Sequence, residues 1–437
     1  MTEYFPEIKA PIAYEGPEST NPLAFRYYDK DRVIAGKTMA EHLRFAVAYW
    51  HTYKGEGTDV FGAGPYDRPW NHAATPLEIA EKTLDANFEF MTKLGVDYYC
   101  FHDRDIAPEG ATFAESADNL KHIIDLAEKK QKETGLKLLW GTANLFSNPR
   151  YMSGGATNPN ANITAYAAAQ VKLAMDATKQ LDGENYVFWG GREGYETLLN
   201  TNLKQEREQL AAFLHMAVGY AKKIGFTGQF LIEPKPCEPT KHQYDRDVAT
   251  VLGFLREFDL YDYFKMNIEA NHATLAGHTF EHELLIASQA GKLGSVDANR
   301  GDVMLGWDTD QFPSDIYETT AAMMIIVQQG GLGSGGLNFD AKVRRQSIDQ
   351  LDLFYAHIGA MDVFARGLII ADKIISDGAL EANRIERYSS WQSGVGADIL
   401  AGRADLASIE AAVRAGSEPS IRSGRQEYLE NLINRYI

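Results

Sequence analysis

The feature that most constrains the fold is an alternation, repeated eight times, between a short apolar run and a longer amphipathic stretch. The eight apolar runs are, in order, RFAVAYW, VDYYCF, LKLLWGT, NYVFWG, GQFLIE, FKMNIE, GSVDA and GGLNF. Strands that alternate with helices form parallel sheets, and eight such units close a barrel, so we predict an α/β fold, a (β/α)8 TIM barrel. A doubly wound open sheet is the alternative, but the alternation continues without a switch in pattern.

The alternation also divides the chain into three parts. Residues 1–37 lack it and are predicted to form an irregular N-terminal extension. Residues 38–377 contain the eight units and are predicted to form a catalytic barrel. Residues 378–437 have a helical pattern but follow the eighth unit, so we expect an extended C-terminal helical arm that packs outside the barrel or on a neighbouring subunit.

Composition narrows the class of partner. The formal net charge of −17 over 437 residues argues against nucleic acid and anionic membranes, which bind basic patches. The N-terminus has acids and prolines in place of a targeting segment, and no apolar run approaches membrane-spanning length. The two cysteines, Cys100 and Cys237, make neither a disulfide framework nor a CxxC zinc site. We therefore expect a cytoplasmic protein that acts on a small molecule.

Carboxylates dominate the predicted C-terminal ends of the strands, where barrel active sites gather. The residues at those ends are, in order, Trp50, His102, Thr142, Trp189, Glu233, Glu269, Asp297 and Asp340. The stretch GWDTDQFP adds Asp308 and Asp310 beside Trp307, which looks buried. If that stretch is extended, both carboxylates point the same way. Six carboxylates are then predicted at one mouth, and His272 lies three residues beyond Glu269.

Six carboxylates cannot all ionise in a partly dry cleft unless bases or cations compensate them. Two divalent cations would offset four of the charges, and Lys235, two residues after Glu233, would offset a fifth. Oxygen ligands with at most one imidazole favour Mg²⁺, Mn²⁺ or Co²⁺ over a structural zinc. One glutamate that bridges the two cations would explain why there are not more acids. We expect Asp308 and Asp310 to hold the second cation.

Three further motifs have a structural and a functional interpretation. In FHDRD, Asp105 lies three residues after His102, and a carboxylate at that reach would fix the tautomer of the histidine and raise its basicity. HTFEH, His278 to His282, matches the HxxEH pattern of zinc proteases, but we place it within the sixth helix as a solvated face. GGLGSGG, Gly330 to Gly336, precedes a strand and is predicted to form a tight turn rather than a phosphate cradle.

Two other classes of protein gather acids in this way. A metal-dependent phosphodiesterase or endonuclease barrel would use more histidine ligands and a basic nucleic-acid face, whereas this chain is acidic. A catalytically silent cation-binding barrel would need neither the pair His102 and Asp105 nor Lys235. Both remain alternatives to an enzyme that acts on a small sugar-like molecule, for which Trp50 and Trp189 would provide flat apolar walls.

The chain resembles the xylose isomerase family, specifically its longer class with an N-terminal extension. The resemblance is carried by motifs that occur in the family's order and spacing across nearly the whole chain: FHDRD, WGTANLF, FWGGREG, IEPKP, NIEANHATLAGH, GSVDANRGD, GWDTDQFP and GGLNFDAKVRR. It implies conversion of the aldose D-xylose to D-xylulose, and of D-glucose to D-fructose, by ring opening and a hydride shift between C2 and C1. It also implies two divalent cations per subunit, Mg, Mn or Co, and a homotetramer.

The resemblance further implies a role for each motif residue. The first metal would be held by Glu233, Glu269, Asp297 and Asp340, and the second by Glu269, His272, Asp308 and Asp310. His102, oriented by Asp105, would open the cyclic sugar, and Lys235 would hydrogen-bond the oxygen at C1. The substrate-binding residues would be Trp50 and Trp189 as walls, Thr142 as a support of the histidine, and Phe61, which would enter a neighbouring subunit's pocket.

Overall fold

The computed structural model describes residues 3–437 and contains a closed barrel of eight parallel strands. The barrel strands are β1 (Phe45–Ala48), β2 (Tyr98–His102), β3 (Lys137–Thr142), β4 (Asn185–Trp189), β5 (Gln229–Glu233), β6 (Phe264–Glu269), β7 (Leu293–Asp297) and β8 (Leu337–Phe339). Neighbours in the chain are neighbours in the sheet, and β8 pairs with β1 through Leu337 and Phe45 to close it. The predicted fold class is confirmed, and the open-sheet alternative is wrong.

Helices follow the strands on the outside of the barrel. The long helices are α1 (Pro76–Leu94), α2 (Phe113–Thr134), α3 (Ala161–Gln180), α4 (Leu203–Ile224), α5 (Val248–Glu257), α6 (Phe280–Gln289), α7 (Ile316–Gln328) and α8 (Leu351–Asp377). Local sequence sets their ends, as α1 shows. Thr75 and Glu78 form a reciprocal capping box at its start, and Gly95, with φ 80°, ends it in the left-handed conformation that glycine adopts without strain.

Short helices at the C-terminal ends of strands displace some residues from their predicted places. Trp50 lies not at the end of β1 but in a helix, Tyr49–Tyr53, that begins directly after the strand. Asp340 follows the last residue of β8 by one position. His272 lies in the helix Ala270–Leu275, which begins where β6 ends at Glu269. These turns aim additional side chains at the barrel mouth.

The N-terminal residues contain one short hairpin and otherwise little regular secondary structure, but some of their side chains are buried. The strands Val33–Ile34 and Lys37–Thr38 form a small antiparallel hairpin. Phe5 is buried against the aromatic rings of Trp70, Phe90 and Phe354. The segment therefore contributes to the hydrophobic core outside the barrel sheet.

Helix α8, Leu351–Asp377, corrects the expectation that no segment reaches membrane-spanning length. By length and composition it is apolar enough to cross a membrane, but 67% of its most apolar window is buried inside the protein. Its buried residues include Phe354, His357 and Phe364. Its apolar character thus reflects packing of a long core helix against the barrel.

The C-terminal residues form four further helices, α9 (Ala379–Arg387), α10 (Gly394–Leu400), α11 (Leu406–Ala415) and α12 (Gln426–Asn434). Only Gly396 and Leu432 within these helices are buried. Large apolar side chains remain exposed along them, namely Ile385, Trp391, Ile399, Leu406, Val413 and Tyr428. The chain beyond α8 is thus helical, as predicted, and it buries little against its own barrel.

Candidate active site

A pocket of about 610 Å³ opens at the C-terminal end of the barrel. Most of the residues predicted at the strand ends line it, together with neighbours that the strand-end count did not include. The lining residues are Trp50, His51, His102, Trp140, Thr142, Phe146, Val187, Trp189, Glu233, Lys235, Glu269, His272, Asp308, Asp310 and Asp340. The floor is the barrel interior, where Trp140 packs with Cys100 and Leu231.

Two groups of carboxylates share one member, and all of these residues except Asp297 line this pocket. Ligand oxygens of Glu233, Glu269, Asp297 and Asp340 lie within 4.8 Å of one another, and so do those of Glu269, Asp308 and Asp310. His272 joins Glu269 on the side of the second group, with its Nε2 3.0 Å from Glu269 Oε2 and 3.3 Å from Asp308 Oδ2. The structure therefore brings together all seven residues predicted to hold metals.

The stretch GWDTDQFP differs from the extended, buried segment expected from its sequence. It is a loop in which Trp307 is 47% exposed, so the prediction of a buried tryptophan is wrong. Asp310 has φ 43°, a left-handed conformation that is uncommon for residues other than glycine. The two aspartates face one pocket because the loop folds back, with Asp308 N donating to Glu238 Oε2 at 2.9 Å, and not because of strand alternation.

Asparagine side chains orient the carboxylates without neutralising them. Asn267 Nδ2 donates to Asp297 Oδ2 at 2.7 Å and to Glu233 Oε2 at 3.1 Å. Asn299 Nδ2 lies 2.7 Å from Glu269 Oε1, and Asn271 donates to Asp308. Neutral donors fix the positions of the oxygens but leave the negative charge of the group available to cations.

Burial and mutual repulsion raise the pKa values of three acids in the first group, Glu233, Glu269 and Asp297. Burial, followed by the charge of Asp297, raises the pKa of Glu233 well above its ordinary value. Burial and then the charge of Asp340 raise the pKa of Asp297 to about 7. Asp308 behaves oppositely: burial raises its pKa, but the charges of Lys235 and His272 outweigh this and hold it well below the ordinary value. Without cations, the first group thus retains protons near neutral pH.

These donors fit two hard cations. Carboxylate oxygens with one imidazole are the ligands of Mg²⁺, Mn²⁺ and Co²⁺ sites. His272 Nδ1 is buried and has no hydrogen-bond partner among residues 3–437, so the ring is not committed to a structural role through that nitrogen. Two groups that share Glu269 match the expected bridging glutamate.

The other polar residues face the same pocket. His102 Nδ1 lies 2.6 Å from Asp105 Oδ2, which is the predicted pairing. The Lys235 ammonium contacts the Asp308 carboxylate and lies 5.3 Å from the centre of the Trp189 ring. Burial lowers the pKa of Lys235, but the charge of Asp308 outweighs this and raises it. The lysine is therefore cationic, as its predicted role requires.

Aromatic rings wall the pocket on the side of His102. The His102 ring lies 4.5 Å from Trp50 and 5.4 Å from Phe146, centre to centre. Phe146 in turn lies 4.5 Å from Trp189. Thr142 lines the pocket beside these rings, and its hydroxyl donates to the Val187 carbonyl at 2.5 Å.

Phe61 is not in the pocket of its own chain. Its side chain is 85% exposed in a loop between the helix Tyr49–Tyr53 and α1. Asp59 Oδ1 accepts a hydrogen bond from the backbone N–H of Phe61 at 2.8 Å. Phe61 therefore contributes nothing to the pocket of its own chain.

Sequence reasoning missed four lining residues, namely His51, Trp140, Phe146 and Val187. His51 follows Trp50 in the short helix after β1, and its Nε2 lies 3.2 Å from Asp310 Oδ2 and 2.9 Å from Asp340 Oδ1. Trp140 and Phe146 belong to the WGTANLF motif. These residues lie close in sequence to Trp50, Thr142 and Trp189, and that closeness is the signal that could have identified them. A prediction that takes one residue from each strand end does not include such neighbours.

The two remaining motifs lie outside the pocket. In HTFEH, α6 begins at Phe280, so His278 precedes the helix in which it was predicted. The rings of His278 and His282 stack at 4.7 Å next to Glu283, whose Oε2 accepts from Val248 N at 2.8 Å. GGLGSGG is a turn between α7 and β8, as predicted, and a side chain at Gly335 would meet the Gly294 carbonyl oxygen at 1.8 Å.

The protein is a closed (β/α)8 barrel with acids and aromatic rings at the C-terminal strand ends, which is where enzymes with this fold have their active sites. Two relatives are 59% identical to this chain over 435 residues, and each alignment covers 100% of this chain and 97% of the relative. They are xylose isomerase 2 of Xanthomonas campestris pv. campestris (strain 8004) and the xylose isomerase of Xanthomonas oryzae pv. oryzae (strain MAFF 311018). The chain belongs to the xylose isomerase family, which confirms the resemblance and an isomerase-type enzyme.

Other comparisons agree with this assignment. Residues 384–437 match the family described as the XylA2 C-terminal domain. A candidate xylose isomerase from Rhodospirillum rubrum ATCC 11170 has TM-score 0.51 and 14% identity, over 74% of this chain and 98% of that chain. D-psicose 3-epimerase of Clostridium cellulolyticum H10 has TM-score 0.50 and 12% identity, over 74% and 99%. At such identities these two structures show the fold alone.

Proposed function

We propose that this protein is a metal-dependent aldose–ketose isomerase that converts D-xylose to D-xylulose and also accepts D-glucose. The observation that carries the proposal is the pair of carboxylate groups that share Glu269, in one pocket with His102 and Asp105 at 2.6 Å. The relatives named xylose isomerase, 59% identical over the full chain, support the substrate class.

The ligands of the first cation would be Glu233, Glu269, Asp297 and Asp340, and those of the second Glu269, His272, Asp308 and Asp310. When bound, the cations would act as Lewis acids that stabilise negative charge on the sugar oxygens. The rest of the chemistry falls to side chains of the chain. No step requires the deprotonation of carbon by a side chain if a hydride moves from C2 to C1.

His102 is placed to open the cyclic sugar. With Nδ1 paired to Asp105, its Nε2 is the nitrogen left to exchange a proton with the anomeric hydroxyl and the ring oxygen. Lys235, cationic and buried, would donate to the sugar oxygen at C1, where negative charge increases. It would exchange its contact with Asp308 for that oxygen when Asp308 binds a cation.

The aromatic walls exclude water during the shift. Phe146 packs against Trp189, and the His102 ring lies between Phe146 and Trp50, so the three aromatic residues line one side of the pocket. Trp50 Nε1 donates to Asp340 Oδ1 at 2.9 Å, so this wall is fixed to a proposed ligand. A dry pocket strengthens the electrostatic interactions of Lys235 with charge on the sugar.

We also propose a cytoplasmic homotetramer. The exposed apolar side chains of α9–α12 and of Phe61 would be covered by other subunits, and Phe61 would enter a neighbour's pocket. Cys100 and Cys237 are both free thiols, which agrees with a reducing compartment.

The direct test is conversion of xylose to xylulose by chelator-treated protein with and without added Mg²⁺, with glucose as a second substrate. We expect turnover of both sugars only when Mg²⁺ is present. Metal binding without turnover of any aldose would favour the catalytically silent barrel. Cleavage of a phosphodiester in place of sugar turnover would favour the endonuclease class.

A further inference from the structure

His51 contacts one carboxylate from each of the two proposed cation sites. It lies in the short helix Tyr49–Tyr53 that follows β1, and its side chain is 19% exposed. Its Nε2 is 2.9 Å from Asp340 Oδ1, in the first group, and 3.2 Å from Asp310 Oδ2, in the second. His51 therefore contacts both carboxylate groups, although, unlike Glu269, it belongs to neither of them.

The contacts leave one oxygen of each carboxylate for a cation. Asp340 Oδ1 faces His51 and accepts from Trp50 Nε1 at 2.9 Å, which leaves Oδ2. Asp310 Oδ2 faces His51 and the Lys342 ammonium, which is 2.9 Å away, whereas Oδ1 accepts only a longer contact of 3.3 Å from Asn299 Nδ2 and is the less occupied oxygen. A carboxylate held through one oxygen presents the other in a fixed direction, which is how residues behind metal ligands raise affinity.

The contact with His51 would also help to hold the strained backbone conformation of Asp310. The residue adopts φ 43° in a loop rather than in a strand or helix. Non-glycine residues in this region persist when surrounding contacts hold them. His51 lies on a short helix directly attached to the barrel sheet, so it ties the loop aspartate to the same rigid element that faces Asp340.

We propose that His51 is a positioning residue that couples the two cation sites by orienting Asp310 and Asp340 through its Nε2. The inference rests on the proposed function of these carboxylates as cation ligands. It assigns His51 no contact with the sugar and no proton transfer. Its consequence is that removal of this one contact weakens both sites, although His51 belongs to neither predicted ligand set.

A matched pair of substitutions tests the inference. In His51→Gln the amide nitrogen reaches close to the position of the imidazole Nε2, whereas in His51→Asn it is one methylene too short. Both variants are neutral and polar, so they differ mainly in reach. His102→Gln is the control, because His102 lines the same pocket but pairs with Asp105.

The measurement is calorimetric titration of chelator-treated, full-length protein with Mn²⁺ in the absence of sugar, with thermal unfolding as a check of folding. We expect His51→Asn to weaken both Mn²⁺ sites by about tenfold or more, the usual effect of losing a residue behind a metal ligand. His51→Gln should recover most of that affinity at both sites, and His102→Gln should bind as the unsubstituted protein does.

Three outcomes would overturn the inference: unchanged or tighter binding in His51→Asn, weakening of only one site, or equal loss in the Asn and Gln variants. Glu269→Gln separates this from failure of the proposed function. If Glu269→Gln binds both ions normally, or if the unsubstituted protein binds none, the carboxylates are not the ligands and the proposed function fails. If Glu269→Gln weakens both ions and His51→Asn weakens neither, only the role of His51 is wrong.

Discussion

At the scale of single residues, the proposed cation ligands lie apart from the histidine that we propose transfers protons. Five carboxylates line one pocket with Lys235, His51 and His272, whereas His102 pairs with Asp105 among aromatic rings. An imidazole in such a wall can exchange protons with a sugar without being held by the acids of the cation groups. The two functions are therefore separable by mutation.

His102→Asn removes the imidazole and tests that separation. We expect turnover of cyclic xylose to fall by about 10² to 10⁴, the range of general acid–base catalysis, because ring opening loses its proton donor and acceptor. Steady-state kinetics with xylopyranose measures this, and Mn²⁺ titration should show unchanged affinity. An unchanged turnover rate would remove His102 from the mechanism.

The sequence predicted much of the site at this scale, and the reason is topological. Parallel strands bring their C-terminal ends to one mouth, so residues as distant in the chain as His102 and Asp340 could be placed together. The turns after the strands could not be predicted in the same way. His51 lies on such a turn, and the partner of the Thr142 hydroxyl depends on the register of β3 against β4.

At the scale of elements, helix α8 contains a titratable group in the core. His357 is completely buried among Phe90, Phe312 and Phe339, and its Nδ1 lies 2.7 Å from the Leu353 carbonyl oxygen. Burial lowers the pKa of His357 to about 4. The ring is therefore neutral in the folded protein at neutral pH.

His357 should make the stability of the fold decrease in acid. The unfolded chain has the higher pKa, about 6.5, so it binds the proton first as the pH falls; the stabilisation is complete above that pH and is lost toward pH 4. At pH 5 the loss is about 2 kcal/mol. Denaturant unfolding at pH 7.5 and pH 5 should show this loss in the unsubstituted protein.

Two variants isolate this contribution. His357→Asn keeps a donor near the position of Nδ1 for the Leu353 carbonyl but has no titration, so its pH dependence should be smaller by about 2 kcal/mol. His215→Gln, at an exposed position on α4, should retain the dependence of the unsubstituted protein. Equal pH dependence in all three proteins would show that His357 does not lose its proton affinity on folding.

Element types were more predictable than loop conformations. Buried strands of a parallel barrel are short apolar runs, so their number and order could be predicted from the sequence. The GWDTDQFP loop has no such periodicity, and its shape depends on tertiary contacts such as that of Asp308 N with Glu238. Trp307 is exposed for that reason, although its sequence neighbours suggested burial.

At the scale of the whole molecule, cations should stabilise the fold. The buried acids of the mouth repel one another, and the folded state with bound ions would exchange that repulsion for attraction. A ligand at about 100 times its Kd adds about 2.7 kcal/mol per site to the free energy of unfolding. Thermal unfolding should shift upward with Mg²⁺ in the unsubstituted protein and much less in Glu269→Gln; equal shifts would contradict the shared ligand.

The proposed homotetramer, which the family resemblance implies, would cover surfaces that one chain leaves exposed. Light scattering should give about four times the chain mass of 48.6 kDa. Leu406 and Val413 on α11 are 88% and 69% exposed, so the double substitution to Glu should not disturb the barrel but should dissociate the tetramer. Circular dichroism checks that the variant is folded. A tetramer that survives the double substitution would show that α11 lies outside the interface.

The proposed function requires that the carbon-bound hydrogen move directly between C2 and C1, while charge on the sugar oxygens is stabilised by cations and Lys235. The most direct measurement is mass analysis of xylulose formed from xylose in D2O by the Mg²⁺-loaded protein. We expect Mg²⁺-dependent turnover with no solvent deuterium on carbon. Deuterium at C1 would contradict it, because that product requires an enediol and a base that removes the C2 proton.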